Sequence, residues 1–337
     1  MNLLVADIGG TNARFGFQKK LSSNLEFINY LNCEDYKTID DAITYYIQKN
    51  ELNVENIVLS VAGPCSDNIV KFSNNKWKFD KLKLLRKLNV DSLLAINDFV
   101  AQGFGFSNFY KEQNLNTSIK NIEKYQLKLI KKGIPIKDSN LLITGPGTGL
   151  GVCTLTKLNN YVYPIEGEGG NVNFSPQDEL EIELLKFLLK EKNYVSFEDL
   201  VSGRGLQNIY KFKNIKNDQV YKKIDASQIG ELALNNNAIA KESVKLMFSI
   251  LGTSISNNIL INGCQKGVII AGGIINKLDT LLHQSDFFYN LINKGAYKKY
   301  VDNVPIFFSP DENNGLKGSA KCFNNKYFTK YGTIYNI

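Results

Sequence analysis

The sequence predicts an α/β protein of two domains. One unit occurs twice along the 337 residues: an apolar strand, a glycine-rich turn with a hydroxyl residue, and a second strand, at 3–17 and again at 141–156. Apolar runs that end at glycine or at Asn-Asp alternate with segments of helical spacing, and the chain is longer than one compact core usually holds. Such a repeat indicates two related α/β domains facing each other, with ligands expected in an interdomain cleft beyond the strand ends.

The first third of the chain predicts a β-hairpin and then alternating helices and strands. Residues 40–49 have helical spacing, with Ile43 and Ile47 four positions apart. The apolar runs end at glycine or polar residues, as buried strands do. The predicted strands of this part lie at 3–6, 13–17, 26–33, 56–62 and 93–96.

The polar, Lys/Asn-rich stretch 107–140 predicts a crossover, with a domain boundary near residue 108. After it the pattern of strand, glycine-rich turn and strand begins again. The later predicted elements are strands at 141–143 and 152–157, a helix at 180–191, a long helix at 239–260 interrupted near Gly252, and a strand at 268–270.

The composition excludes several classes of protein. Apolar residues make up 43% of the chain and charged residues 22%, which is ordinary for a globular protein. The net charge is +7, but lysines are scattered among acidic residues and the only arginines are Arg14, Arg86 and Arg204. Since arginine is the usual reader of bases and phosphates, we expect no nucleic-acid partner.

The cysteine pattern and the N-terminus indicate a cytoplasmic protein. The five cysteines are widely spaced, and no pair has the two-residue spacing of zinc or redox motifs, so we expect reduced, buried thiols. The apolar run at 3–8 is broken by Asp7 and is too short for a signal peptide. No apolar stretch approaches the ~20 residues needed to cross a bilayer, and we expect no membrane association.

The segment Asp7-Ile8-Gly9-Gly10-Thr11-Asn12 has the chemistry of a phosphate-binding loop. Glycine lets backbone N–H groups approach a phosphate closely, and Thr11 adds a hydroxyl donor. Asp7, at a strand end, can hold water or Mg²⁺ near the phosphates. The alternative is a plain hairpin turn, in which adjacent glycines are common.

A second loop of the same type occupies residues 144–151, Thr-Gly-Pro-Gly-Thr-Gly-Leu-Gly. It lacks the Gly-Lys-Ser/Thr of a P-loop, and because it leads into a strand it does not fit a dinucleotide fingerprint. Two such loops can hold a triphosphate from both sides. Gly272-Gly273, after a strand, offers a third flat surface suited to the nucleoside.

Carboxylates and amides in three places suit a polyhydroxylated substrate. Asp98 follows a buried strand beside Asn97 and is a candidate general base for a hydroxyl, although it would also suit a helix N-cap. The acidic, glycine-rich segment 166–171 contains Glu168 and Asn171, which suit sugar hydroxyls, and its alternative is a solvated turn. Glu198 adds a carboxylate that could equally begin a helix.

In this order, the motifs resemble the bacterial-type glucokinase family, within the actin/hexokinase/Hsp70 ATPase-domain superfamily. The matching strings span nearly the whole chain. They are Ala6 to Arg14 (Ala-Asp-Ile-Gly-Gly-Thr-Asn-Ala-Arg), Ala62-Gly63-Pro64, Asn74-Asn75-Lys76-Trp77, Ile96-Asn97-Asp98-Phe99, Gly147-Thr148-Gly149-Leu150-Gly151, Gly167-Glu168-Gly169-Gly170, Leu200-Val201-Ser202-Gly203, Ala271-Gly272-Gly273-Ile274 and Gly315-Leu316-Lys317-Gly318.

The resemblance implies ATP-dependent phosphorylation of the glucose 6-hydroxyl, with Mg²⁺ bridging the nucleotide. It implies that Asp98 takes the proton from that hydroxyl, and that Asn97, Glu168 and Glu198 bind the sugar, with Asn171 at a further sugar position. The residues implied to bind the nucleotide are Ala6, Asp7, Ile8, Gly9, Gly10, Thr11, Gly147, Thr148, Gly149, Gly272 and Gly273.

The resemblance also implies an actin-like, ribonuclease H-like fold split between two domains. The small domain comprises residues 1–108 and 312–337, including a returning helix near 314–325, and the large domain comprises 109–311. The family implies a cytoplasmic homodimer that acts in glycolysis. No metal site of the protein's own is expected, because the Mg²⁺ is carried by ATP near Asp7 and the family's wider zinc motif is absent.

The chain departs from the family pattern at Asn171, where a histidine is usual. Asparagine can still donate and accept hydrogen bonds but carries no charge, so we expect glucose still to bind, with a weaker or altered pH dependence of KM. Other hypotheses stay open at this point. They are a kinase for another hexose, a sugar-sensing regulator without catalysis, and a chaperone-like or cytoskeletal ATPase.

Overall fold

Two six-stranded sheets of the same strand order organise the chain. The computed structural model describes residues 1–20, 24–72, 76–112, 122–159, 161–330 and 332–335. The chain divides into two units. The first comprises Met1–Glu112, Leu155–Glu166 and Asn313–Ile337, and the second comprises Gln113–Thr154 and Gly167–Glu312.

The strands are β1 (Leu3–Ile8), β2 (Asn12–Gln18), β3 (Glu26–Asn32), β4 (Asn56–Val61), β5 (Ile69–Lys71), β6 (Lys78–Asp80), β7 (Ser92–Asn97), β8 (Lys128–Lys131), β9 (Leu141–Pro146), β10 (Leu150–Leu158), β11 (Tyr161–Gly167), β12 (Gly267–Ile270), β13 (Ile306–Phe308) and β14 (Ile334–Tyr335).

The helices are α1 (Ile39–Lys49), α2 (Lys81–Leu88), α3 (Asp98–Gly105), α4 (Ser107–Lys111), α5 (Glu179–Leu188), α6 (Gly203–Lys216), α7 (Ala226–Leu234), α8 (Ala238–Asn262), α9 (Gly273–Leu282), α10 (Phe287–Ile292), α11 (Lys298–Asp302), α12 (Asn314–Phe323) and α13 (Lys326–Thr329).

The strand order confirms the internal repeat. The first sheet runs β3-β2-β1-β4-β7-β14 and the second runs β11-β10-β9-β12-β13-β8. In the first sheet, β1 precedes the glycine-rich turn and is followed across the sheet by the parallel strands β4 and β7. In the second sheet, β9 has the same place and is followed by the parallel strands β12 and β13. An antiparallel strand closes the edge in both sheets. The carboxyl ends of the parallel strands therefore lie at one edge of each sheet, where the predicted loops begin.

Local sequence explains why the helix α1 forms where it does. Thr38 and Asp41 make a reciprocal capping box, in which the Asp41 N–H donates to Thr38 Oγ1 (3.3 Å) and the Thr38 N–H donates to Asp41 Oδ2 (3.1 Å). Ile39, Ile43 and Tyr46 recur at the spacing of one helix face and are buried against the first sheet's core.

The long helix α8 is the centre of the second unit's core, and its interruption near Gly252 was wrongly predicted. The helix continues from Ala238 to Asn262. Gly252 is required by a close approach, since a Cβ there would lie 2.4 Å from the carbonyl oxygen of Phe287. By length and composition α8 could cross a membrane, which corrects the expectation of no such stretch, but 78% of its apolar window is buried.

The stretch 107–140 is only partly the polar crossover that the sequence predicted. It contains α4 and the edge strand β8, which pairs with β13. Residues 113–121 lie outside the described residues, as do Asn74 and Asn75 of the motif that ends at Trp77. The predicted hairpin strands, α1, β4, β7, α5 and β12 are present within a few residues of their predicted bounds.

The segment Leu155–Glu166 lies in the first unit, whereas the sequence-based division placed it in the large domain. Its packing explains this assignment. The Asn325 side chain donates to the Val162 carbonyl (3.0 Å), and the Tyr163 ring lies 5.6 Å from that of Phe328. Phe328 also contacts Phe104 of α3, so the segment is held by the C-terminal part of the chain.

One buried acid in the second unit makes the stability depend on pH. Glu181 has no solvent exposure, and its carboxylate accepts from the Gln177 N–H (2.7 Å) and from the Asn290 amide (3.5 Å). Burial raises the pKa of Glu181 to about 7, with the Gln177 bond opposing the rise and Asp178 adding to it. No cation pairs with this carboxylate among the ion pairs of the described residues.

We predict that Glu181→Gln stabilises the protein increasingly as the pH rises from about 4.5 to about 7. The folded state holds the Glu181 proton more tightly than the unfolded chain, so the wild-type free energy of unfolding falls through this window, by on the order of 3 kcal/mol. The amide carries no such proton. Urea unfolding of both proteins at several pH values measures the difference, and a difference that stays flat or shrinks with pH would contradict the prediction.

Candidate active site

The turn after β1 in the first unit contains two adjacent glycines and an exposed threonine. Ala6, Asp7 and Ile8 end the strand, and the Gly9 N–H donates to the Asn12 carbonyl (3.0 Å) to close the turn. Gly9 and Gly10 are half-buried, and Thr11 is exposed. The turn leads directly into β2, as the sequence predicted, and it exposes the Thr11 side chain, whose hydroxyl can donate to an anion.

The side chains of Ser60 and Arg14 contact the Asp7 carboxylate near the end of β1. The Ser60 hydroxyl donates to Asp7 Oδ1 (3.1 Å), and Arg14 Nη1 lies 3.7 Å from Oδ2. Burial raises the pKa of Asp7, while Arg14 and Ser60 oppose the rise. Sequence analysis assigned no role to Ser60, which lies beside Asp7 because β1 and β4 pair in parallel register.

Asn97 and Asp98 lie at the same edge of the sheet, after β7. Ile8, Val61 and Asn97 are aligned across β1, β4 and β7. Asn97 rather than Asp98 caps the helix α3, since its Oδ1 accepts from the N–H groups of Phe99 (2.8 Å) and Val100 (3.2 Å). Asp98 is the first helical residue, is half-buried, and has its Oδ1 2.9 Å from the Phe99 N–H. A helix N-terminus stabilises a negative charge there.

The returning helix α12 packs against α3 with its backbone. A Cβ at Gly318 would lie 1.7 Å from the Ala101 carbonyl oxygen, so only glycine permits this approach. The Asn314 side chain donates to the carbonyl (3.0 Å) and to the side-chain oxygen (2.7 Å) of Gln102. This contact fixes the helix that Asp98 begins.

The same helix, α12, also reaches the phosphate loop. The Cβ position of Gly315 lies 3.0 Å from Asp7 Oδ2 and 3.3 Å from Gln102 Nε2. Asp7 and the helix of Asp98 are therefore both placed against the start of α12. The string Gly315-Leu316-Lys317-Gly318 thus positions both the phosphate loop at Asp7 and the helix that begins at Asp98.

In the second unit, the loop after β9 meets the starts of two helices. The Gly147 N–H donates to Gly149 O (2.8 Å), and the Gly203 N–H, at the start of α6, donates to Gly147 O (2.9 Å). Gly272, before α9, has φ +114°, and a Cβ there would lie 2.6 Å from Pro146 O. The predicted nucleotide residues 147–149 and 272–273 are thus brought together, beside helix N-termini that favour anions.

Glu198 joins this loop to the acidic segment. Its Oε2 accepts from the Leu150 N–H (2.9 Å), and its Oε1 pairs with Arg204 Nη2 (3.3 Å). Its own backbone N–H donates to Gly170 O (2.8 Å). Glu198 does not begin a helix, because Ser202 caps α6. Glu198 therefore contacts the phosphate loop and a cation through its carboxylate, and the acidic segment through its backbone.

Glu168 and Asn171 face each other across a short 3₁₀ turn at Gly169–Asn171. The Asn171 N–H donates to the Glu168 carbonyl oxygen (2.9 Å). Both residues are exposed. Desolvation and the charge of Glu198 raise the pKa of Glu168, and the Asn171 side chain opposes the rise. Glu168, Glu198 and Asn171 thus lie close together in the second unit.

Sequence analysis missed the two arginines that pair with site carboxylates. Arg14 pairs with Asp7, and Arg204 pairs with Glu198. The sequence could have indicated them, because the chain has only three arginines. Of these, Arg14 ends one motif string and Arg204 directly follows another. Across the residues that the structure describes, no group of three His, Cys, Asp or Glu side chains could hold a metal ion.

Comparison with known proteins identifies a family. The family model Glucokinase matches residues 4–326. A glucokinase of Hahella chejuensis is 33% identical over 325 residues, which cover 96% of this chain and 97% of that protein. The crystal structure of a glucokinase from an Antarctic psychrotroph has a TM-score of 0.77 at 28% identity, covering 96% of this chain and 99% of that one.

A more distant structure shares the fold. A ROK family glucokinase from Streptomyces griseus, solved in complex with glucose and AMPPNP, has a TM-score of 0.63 at 18% identity. The match covers 95% of this chain and 98% of that one. The chain thus has the actin-like α/β fold that the sequence predicted.

We predict that the titration midpoint of Glu168 responds to its two neighbours in opposite directions. Glu198→Gln removes a negative charge and should lower the pKa of Glu168, whereas Asn171→Ala removes a side chain that favours the ionised form and should raise it. Carbon-detected NMR of the Glu168 carboxyl measures both. Glu191→Gln, at an exposed position outside the cluster, is the control. Equal midpoints in all four proteins would contradict this description of the cluster.

Proposed function

The chain belongs to the glucokinase family, and we propose that it transfers the γ-phosphoryl group of ATP to the 6-hydroxyl of glucose, with Asp98 as general base. The supporting observation is the placement of Asp98. It follows β7 at the same sheet edge as the phosphate loop after β1, two strand spacings or roughly 10 Å away. A carboxylate at that distance from bound phosphates leaves room for the acceptor hydroxyl.

In the proposed reaction, Asp98 accepts the 6-hydroxyl proton as that oxygen attacks the γ-phosphorus. The new O–P bond forms while the bond from the γ-phosphorus to its bridging oxygen breaks, and ADP leaves. Asn97 orients the sugar. Because its carbonyl oxygen already accepts two backbone N–H groups, its amide N–H groups are the ones left to donate to a sugar oxygen.

We propose that both phosphate loops hold ATP through backbone donors, with Thr11 and Thr148 adding hydroxyls and Gly272-Gly273 bordering the nucleoside. The N-termini of α6 and α9 add favourable dipoles. Asp7 fits a Mg²⁺ ion carried by ATP, since Mg²⁺ in such sites takes one or two carboxylates besides water and phosphate. When bound, that ion would neutralise charge on the transferring phosphoryl group.

We propose that Glu168, Glu198 and Asn171 bind the remaining sugar hydroxyls. Ionised carboxylates accept from hydroxyls, and the Asn171 amide can both donate and accept. The family alone supports a cytoplasmic homodimer that works in glycolysis. The proposed division is into a small domain (1–108 with 312–337) and a large domain (109–311), apart from Leu155–Glu166, which groups with the first unit.

We predict that Asp98→Asn lowers kcat by about 10²–10⁴-fold, the loss expected for a general base. Folding should be retained, because Asn97 supplies the cap of α3. The affinity for ATP, measured by calorimetry, should change little, because the substitution leaves both phosphate loops intact.

The matched control is Asp80→Asn, which makes the same chemical change at the N-terminus of α2, where Asp80 Oδ1 accepts from the Lys83 N–H (2.9 Å). This variant should keep its kcat. Near-normal turnover by Asp98→Asn would rule out the assignment of the base.

A further inference from the structure

A polar pocket of about 460 Å³ lies in the second unit, and we infer that it is a second carbohydrate subsite. It would hold a glycosyl residue linked to C1 of a glucose bound at Glu168 and Glu198. Its walls include Asn171, Asn193, Tyr194, Ser196 and Arg204. The inference rests on the proposed function, because it takes the neighbouring cluster as the glucose site.

The pocket adjoins that cluster through two shared residues. Asn171 lines the pocket and its backbone N–H donates to the Glu168 carbonyl oxygen (2.9 Å), and Arg204 lines it and pairs with Glu198. A ligand group that extends past Glu168 and Glu198 on this side therefore enters the pocket.

The wall of the pocket is attached by backbone hydrogen bonds to residues 172–174, which directly follow the acidic segment. The Phe174 N–H donates to Val195 O (2.8 Å), the Phe197 N–H donates to Val172 O (3.1 Å), and Asn173 forms a β-bridge with Ser196. The stretch 171–174 thus runs antiparallel to 195–198. A ligand that occupies both places would meet a preformed surface, which reduces the entropic cost of binding.

The charges of the pocket favour a neutral ligand over a phosphorylated one. Its cations face carboxylates, Lys192 with Asp199 and Arg204 with Glu198. Burial would raise the pKa of Asp199, but the bonds from Lys192 and Ser196 hold it below its usual value, so the Lys192 pair stays ionised. Each cation is already neutralised by a carboxylate, which weakens its attraction for a phosphate.

The remaining groups have the composition of a sugar site. Tyr194 is 53% exposed, and its ring can cover the apolar C–H face of a pyranose. The amides of Asn171 and Asn193 can donate to and accept from hydroxyls. The volume is within the usual range for small-molecule sites.

The chemistry of the proposed reaction decides where the second ring attaches. The proposed reaction uses the 6-hydroxyl, which leaves the hydroxyls on C1 to C4 as the positions where a second ring can be attached. C1 is the carbon through which a non-reducing glucose is linked to another sugar. Maltose and cellobiose therefore present a glucose with a free 6-hydroxyl and a second ring attached at C1.

The test measures ATP turnover with glucose, and then with maltose and cellobiose as competitors and as substrates. At least one disaccharide should compete with glucose or be phosphorylated. Tyr194→Ala should weaken that disaccharide about tenfold while leaving the KM and kcat for glucose unchanged. Tyr289→Ala, which removes another exposed tyrosine of the same unit outside the pocket, should have no effect.

The possible failures are distinguishable. If glucose is phosphorylated but neither disaccharide competes at about a hundredfold above the glucose KM, the second subsite is refuted and the proposed function stands. Competition that Tyr194→Ala leaves unchanged refutes the pocket as its location. Absence of turnover with glucose refutes the proposed function, and the inference with it.

Discussion

The arrangement of the first unit depends on a backbone contact between the C-terminal helix α12 and the helix α3. Gly318 lies so close to Ala101 that a single methyl group would overlap the carbonyl oxygen. This contact fixes α3, which Asp98 begins, and it places Gly315 against Asp7. Residues more than three hundred positions apart thus determine one half of the candidate site. The C-terminal helix therefore holds the site residues in place. Because the contact is tightly packed, a larger side chain in this helix would displace α3 and Asp7.

In the second unit, the site residues are held together by the Glu198 carboxylate, whereas in the first unit they are held by the backbone contact between Gly318 and Ala101. The Glu198 carboxylate connects the phosphate loop at Leu150 with Arg204, and its backbone N–H reaches Gly170 of the acidic segment. Its charge also raises the pKa of Glu168. Each unit therefore places an arginine beside a site carboxylate, Arg14 at Asp7 and Arg204 at Glu198, and these ion pairs limit how far the two carboxylates can reorient.

Much of the fold could be predicted from the sequence, because strand repeats and glycine-rich turns are local patterns. The hairpins after β1 and β9 follow from apolar runs and glycines alone. β8 could not be predicted, since its lysine-rich sequence forms a strand only through pairing with β13. The apparent break at Gly252 and the capping role of Asn97 likewise depend on a neighbouring helix and on side-chain geometry. The roles of Arg204 and Ser60 could not be predicted, because the contact of Arg204 with Glu198 depends on packing and that of Ser60 with Asp7 depends on the register of β1 and β4.

The central claim is that this chain phosphorylates glucose at the 6-hydroxyl with ATP. The most direct measurement is ADP release over a panel of hexoses, with the phosphorylated product identified by ³¹P and ¹³C NMR. We expect ATP turnover to require a hexose, to be most efficient with glucose, and to yield a product that carries phosphate on C6. Turnover that is independent of sugar, or that occurs with another hexose and excludes glucose, would contradict the claim.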